Sequence, residues 1–142
     1  MPRILAIDFG TKRTGLAVTD PLKMIATGLT TVDTSKALDY LKQYIQKEPV
    51  ELFVVGHAKN LDGTDAESTP AINAFIKQLK IHFVTIPIER IDERFTSKMA
   101  FQTMIDSGLS KMQRRNKKLV DEISAVIILQ SYLEQKQFEL DR

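Results

Sequence analysis

Apolar and β-branched residues come in short bursts over the first part of the chain and then change to a three- and four-residue period. Arg3 to Phe9 (RILAIDF) and Thr14 to Thr19 (TGLAVT) are β-rich runs separated by the polar turn Gly10 to Arg13, the pattern of a hairpin. Met24 to Val32 (MIATGLTTV) alternates less cleanly, but its β-branched content and polar boundaries suit a third strand of an antiparallel meander. Ala37, Leu38, Leu41, Tyr44 and Ile45 then recur at helical steps, with Thr34 or Ser35 as N-cap and Pro49 near the end. Leu52 to Val55, closed by Gly56, is a continuous apolar run of the kind a strand carries when both faces are covered. The polar loop Gly56 to Thr69 leads to a second amphipathic helix marked by Ile72, Phe75, Ile76 and Leu79. Ile81 to Ile91 is again β-branched, and Pro87 within it belongs at a strand's start or edge because it has no N–H to give a ladder. Thr96 or Ser97 caps a helix to about Ile105, with Gly108 as terminator, and Leu119 to Leu133 forms a long last helix.

The order βββαβαβαα predicts an α/β fold. Its mixed five-stranded sheet has a three-strand antiparallel meander followed by alternating helices and strands, with helices on both faces, because each later parallel strand needs a crossover. Ligands favour the carboxyl ends of such strands. The 142 residues, 43% hydrophobic, suit one core, so residues 1–142 are expected to form one domain, with Glu134 to Arg142 as a frayed tail. No apolar run approaches the roughly 18 to 20 residues that span a bilayer, and no signal-like start is present. The expectation is a soluble cytoplasmic protein with no membrane partner. The absence of Cys closes disulfides, thiolate metal sites and cysteine nucleophiles, leaving oxygen ligands, His and Lys for any chemistry.

A net charge of +2 gives little overall pull on polyanions, so the placement of charge matters more than its sum. Lys111, Arg114, Arg115, Lys117 and Lys118 fall in KMQRRNKK with no acid among them, either a solvated loop or a phosphate-facing patch.

Asp8 sits in the first apolar run, where a carboxylate needs a cation, a metal or hydrogen-bond donors. It either accepts hydrogen bonds from the Gly10 to Arg13 turn or belongs to a site. The turn offers backbone access at Gly10 and Thr11 and phosphate donors at Lys12 and Arg13, and a carboxylate beside phosphate-binding groups calls for a divalent ion between them. One of Asp92 and Glu93 should face the same strand ends, since successive strand side chains alternate, but the pattern does not choose between them. Asp121 has Ser124, Ala125 and Ile128 as helical neighbours; the two small residues would let this face approach the sheet, leaving Glu122 toward solvent. Converging carboxylates resist joint ionisation unless hard cations neutralise them. An oxygen-only ligand set favours Mg²⁺ or Mn²⁺, and two such ions about 3.5 to 4 Å apart would support hydrolysis of a nucleic-acid backbone. His57 reads as a turn-capping His and His82 as structural, while Phe75, Phe101 and Tyr132 fall on apolar stripes and read as core.

AIDFGTKRTGLAVTD (Ala6 to Asp20), VVGHAKNLDGT (Val54 to Thr64), DERFTSKMA (Asp92 to Ala100) and VDEISAVIILQSYL (Val120 to Leu133) closely resemble the YqgF family of RuvX-like proteins, also described as Holliday junction resolvase-like or as pre-16S ribosomal RNA nucleases. The four motifs span nearly the whole chain in the family's order and spacing. The first alone also resembles the phosphate loop of sugar kinase and actin-type ATPases, which need a second lobe that 142 residues cannot hold. The resemblance implies an RNase H-like fold and selects Glu93 over Asp92, giving Asp8, Glu93 and Asp121 as catalytic, metal-holding residues. It implies metal-dependent maturation of the 5′ end of the small-subunit ribosomal RNA precursor. Ala58 stands where the family usually carries Pro, so the loop from Gly56 to Gly63 is expected to be less rigid here.

Residues and resemblance together lead to an endonuclease on structured RNA that uses Mg²⁺ or Mn²⁺. Gly10, Thr11, Lys12 and Arg13 would hold the scissile region, and Arg114, Arg115, Lys117 and Lys118 the flanking phosphates. The ribosome or its assembly factors are further partners, as a monomer or homodimer. Rival readings keep the fold but make the substrate branched DNA, cut by a dimer with two sites, or make the chain a ribosomal-RNA binding module that does not cut. If the basic run holds phosphates, Lys117→Glu with Lys118→Glu lowers RNA affinity at low salt and flattens its salt dependence, as filter binding over a salt series would measure.

Overall fold

The computed structural model describes residues 2–20, 25–57, 69–92 and 117–140. Glu93, Arg114, Arg115, Ala58 and the helix expected from residue 96 onward lie outside them. Strand β1 (Arg3–Asp8) pairs antiparallel with β2 (Arg13–Thr19), and β2 pairs antiparallel with β3 (Ala26–Asp33). On its other side β1 pairs parallel with β4 (Val50–His57), and β4 parallel with β5 (Ile88–Asp92). The order β3-β2-β1-β4-β5 is that of a meander extended by two helical crossovers, α1 (Ala37–Lys47) before β4 and α2 (Thr69–His82) before β5. The last described helix, α3, is Lys117–Leu140.

The period of two along β1 separates two cores. Leu5, Ile7 and Phe9 face the side of α1 and α2, packing with Leu16, Val18, Phe53, Val55, Leu41, Ile72, Phe75 and Leu79. Ile4 and Ala6 face the other side with Ala17, Val54 and the α3 residues Ala125, Ile128, Leu129 and Tyr132. Burial on both faces explains the unbroken apolar runs in β1 and β4, and each fully buried Leu, Ile or Phe contributes about 1.5 to 3 kcal/mol relative to exposure. Phe9 against Phe75 (centroids 5.2 Å apart) and Phe53 edge-on to Phe83 (5.4 Å) hold α2 to the sheet.

Several boundaries differ from the sequence expectation. Thr34 to Lys36 form a 3₁₀ turn, α1 begins at Ala37, and neither start has a side-chain cap, so Thr34 and Ser35 are not the N-caps their types suggested. Ile81 and His82 end α2 rather than begin a strand; Ile81 and Val84 are 56% and 82% exposed. Pro87 stands immediately before β5, as expected, and its carbonyl accepts the Phe53 N–H at 3.0 Å. The tail expected to fray is helical as far as Leu140. No Gly or Pro interrupts it, and Lys136 lies 3.8 Å from the Glu89 carboxylate and 5.5 Å from the Tyr132 ring centroid.

Helix α3 comes closest to the sheet over Gly15, where an added Cβ would overlap the backbone carbonyl of Asp121. At Gly28 on β3 an added Cβ would meet only the side chain of Glu122. Glu122 is therefore half-buried over β3 and does not face solvent alone as expected. Gly15→Ala is expected to lower stability by about 1 to 3 kcal/mol because backbone must move, and Gly28→Ala by less because the Glu122 side chain can rotate away. Urea unfolding midpoints of the two variants would check that order.

Candidate active site

One row of residues crosses the sheet at the carboxyl end of β1. Thr31 pairs with Gly15, Gly15 with Asp8, Asp8 with Gly56, and Gly56 with Ile91. Asp8 closes β1 half-buried, and the strand period places it on the face of Ile4 and Ala6, toward α3. Glycine stands on both flanks, so neither neighbouring strand contributes a side chain beside the carboxylate. Its place at the strand mouth spares the carboxylate the desolvation it would suffer deeper in the sheet.

Asp121 reaches the same corner from α3, because its backbone lies over Gly15, the antiparallel partner of Asp8. The small helical neighbours do what their spacing suggested: Ser124 and Ala125 are buried against the sheet. Arg13 shares the face of Gly15 and Ala17, and its Nε–H donates to Asp121 Oδ2 at 3.0 Å, the side chains 29% and 25% exposed. Arg13, read from sequence as a phosphate donor, thus has a carboxylate partner 108 positions away.

The turn between β1 and β2 is fixed by a residue that sequence reasoning missed. Thr34 donates its backbone N–H to the Lys12 carbonyl at 2.9 Å and its hydroxyl to the Gly10 carbonyl at 2.5 Å. With that single hydrogen spent, the 2.9 Å contact between the Thr14 and Thr34 hydroxyls must be donated by Thr14. Gly10 is held so closely that an added Cβ would overlap the Arg13 carbonyl, and the Phe9 N–H continues the ladder to the Gly56 carbonyl at 3.1 Å. Thr11 and Lys12 remain exposed at the tip. Only the register that sets Arg13 opposite Asp33 brings Thr34 there, and nothing local to Thr34 signals it.

Of the expected trio, Asp8 and Asp121 are brought to one corner and Glu93 lies outside the described residues, among which no group of three His, Cys, Asp or Glu side chains forms a metal-binding set. Asp92 ends β5 in register with His57, the last residue of β4. Lys117 and Lys118 open α3 and so belong to a helix start, not to a loop, while Arg114 and Arg115 lie outside the described residues. His82 ends α2, which leads into the start of β5 and hence to the opposite end of the sheet from Asp8.

A family model described as RuvX: Holliday junction resolvase matches residues 2–135. A Flavobacterium johnsoniae relative is 56% identical over 138 residues, covering 97% of this chain and 100% of its own. One from Porphyromonas gingivalis is 57% identical over 134 residues, covering 94% and 97%. Both carry the name "Putative pre-16S rRNA nuclease". Among solved structures, Thermus thermophilus RuvC superposes with a TM-score of 0.57 at 14% identity, covering 94% of this chain and 96% of that one. T. thermophilus RuvC in complex with Holliday junction substrate gives 0.56 at 15% identity, covering 95% and 96%. The likeness establishes the fold as RNase H-like.

Thr34→Val keeps the shape of the side chain but leaves the Gly10 carbonyl without this donor and the Thr14 hydroxyl without this acceptor, an expected loss of about 1 to 3 kcal/mol. Thr34→Ser should retain most of the stability. Chemical denaturation, with amide exchange at residues 10–13 to localise the effect, would distinguish the two.

Proposed function

The chain belongs to the RuvX family, and on that premise we propose that it is a divalent-metal-dependent endonuclease that hydrolyses phosphodiesters of structured RNA in 5′-end maturation of pre-16S ribosomal RNA. The observation that carries this reading is the seating of the Asp121 backbone on Gly15, the strand partner of Asp8, which brings two carboxylates to one corner of the sheet's carboxyl end. The names borne by relatives matched over nearly their full length support the RNA substrate.

The donor set of this corner fits Mg²⁺ or Mn²⁺. The carboxylates are hard oxygen ligands, the chain has no Cys, and Asp8 has bare glycine on each flank. An ion-paired Arg13 in the same corner supports the reading that the carboxylates require positive charge. Glu93 completes the set in this proposal by the family resemblance of the DERFTSKMA motif that carries it. Asp8, Glu93 and Asp121 would hold the ion, which when bound supplies a Lewis acid that lowers the pKa of water and neutralises phosphate charge.

The remaining roles belong to the chain's own donors. The β1–β2 turn, fixed by Thr34, presents Lys12 and the backbone of Gly10 and Thr11 to the scissile phosphate. Arg114, Arg115, Lys117 and Lys118 bind flanking phosphates in the same reading. No described helix is long and apolar enough to cross a membrane. The proposed substrate implies the cytoplasm and an encounter with the ribosome or its assembly factors.

A second reading, cleavage of branched DNA, draws on the Holliday junction resolvase description of the family, and it requires a dimer because paired cuts need paired sites. Asp8→Asn and Asp121→Asn should each lower Mn²⁺-dependent cleavage of a pre-16S 5′-end RNA by at least roughly a hundredfold, while Glu122→Gln leaves it unchanged. Gel assays on that RNA and on a four-way DNA junction, run side by side, test the proposal. Cleavage of the junction alone would favour the second reading, and wild-type protein that cuts neither would overturn both.

A further inference from the structure

The Arg13–Asp121 pair is a built feature of the corner that the proposed chemistry does not use. The strand period sets Arg13 on the α3 side with Gly15 and Ala17, the pairing with Asp33 fixes its backbone, and Thr34 holds the adjoining Lys12 carbonyl. Its guanidinium is permanently charged. It meets Asp121 through Nε alone among the described residues, not through the terminal amino fork that grips a carboxylate or phosphate with two parallel bonds. A single bond between two partly exposed partners is exchangeable, and the unspent fork is the part suited to a phosphate.

We infer that Arg13 is the internal counter-cation of this carboxylate corner. It neutralises Asp121 before a divalent ion binds, opposes that ion's entry, and passes to a nucleic-acid phosphate once the ion has taken its place. This rests on the reading of Asp8 and Asp121 as metal ligands. Two charged species compete for one carboxylate, so the occupancy of either lowers the affinity of the other, and a released guanidinium is available to phosphate only after the exchange. The order of assembly that follows is ion first, nucleic acid second.

The sign of the effect separates this role from a merely structural one. Removing a unit positive charge that competes with a dication, in a water-like dielectric, should tighten binding roughly tenfold. Arg13→Gln keeps a hydrogen-bond donor and removes the charge, so it should bind Mn²⁺ more tightly by that factor in calorimetric titration without nucleic acid. Arg13→Lys, which keeps the charge, should bind as wild type does. The same Arg13→Gln variant should lose affinity for a short structured RNA in Ca²⁺ and lose none in chelator. In wild-type protein the Arg13 Nε–H resonance should move as Mg²⁺ is added, a readout that stands even if the variant does not fold.

Saturable Mn²⁺ binding by wild type that Arg13→Gln leaves unchanged or weakens would overturn the counter-cation role alone. An equal RNA loss with and without Ca²⁺, or an Nε–H signal that Mg²⁺ does not move, would do the same. Wild-type protein with no saturable Mn²⁺ binding would overturn the metal reading of the corner, and this inference with it.

Discussion

How near a helix comes to a sheet is set by the bulk between them, and where α3 crosses Gly15 that bulk is nearly nil. Gly15, Ala6 and Ala17 line the sheet there, and Ser124 and Ala125 line the helix. At Gly15 the contact is backbone against backbone, with no room for a methyl group. The opposite face is different, filled by Phe53, Leu5, Ile7 and Leu16 beneath α1 and α2. The α3 side has its own large residues in Ile4, Val54, Ile128 and Leu129, but at the mouth of the central strand small ones admit the carboxylate-bearing helix. Asp121 belongs to the corner only because that local arrangement holds.

The polar parts of the corner are held by bonds from outside it. Thr34, just past the end of β3, fastens the β1–β2 turn through two carbonyls and a neighbouring hydroxyl, and Phe9 anchors the same turn in the large-residue core beside Phe75. The turn that carries Lys12 and leads into Arg13 is therefore braced by an apolar anchor on one side and a polar clasp on the other. Groups held by packing and by supporting hydrogen bonds keep their geometry better than groups on a free loop.

Much of the fold was legible in the sequence because it is written in local periods. The β-rich runs Arg3 to Phe9 and Leu52 to Val55 mark strands, and Ile72, Phe75, Ile76 and Leu79, spaced for a helix, are all buried in α2. That Asp8 and Asp121 could meet was also readable, from a carboxylate in an apolar strand and small residues beside another on a helix. What escaped depends on register between distant segments. Thr34 has the residue type of a helix cap, yet its hydroxyl serves a turn that only β2–β3 pairing brings near. Arg13 has the type of a phosphate donor, yet α3 supplies it with a carboxylate. Ile81 carries a strand-former's side chain, but α2 continues through it, and the strand waits for Pro87.

The distance along the chain between the two sides of the corner has a temporal meaning. Arg13 and Asp121 are separated by 108 positions, and contacts of such long range demand the largest loop closure in folding. During synthesis Asp8 and its turn leave the ribosome well before the helix that completes them. Until α3 has been made, a nascent chain carries half of this corner, so the corner forms by docking of a later segment and not in proportion to the length translated.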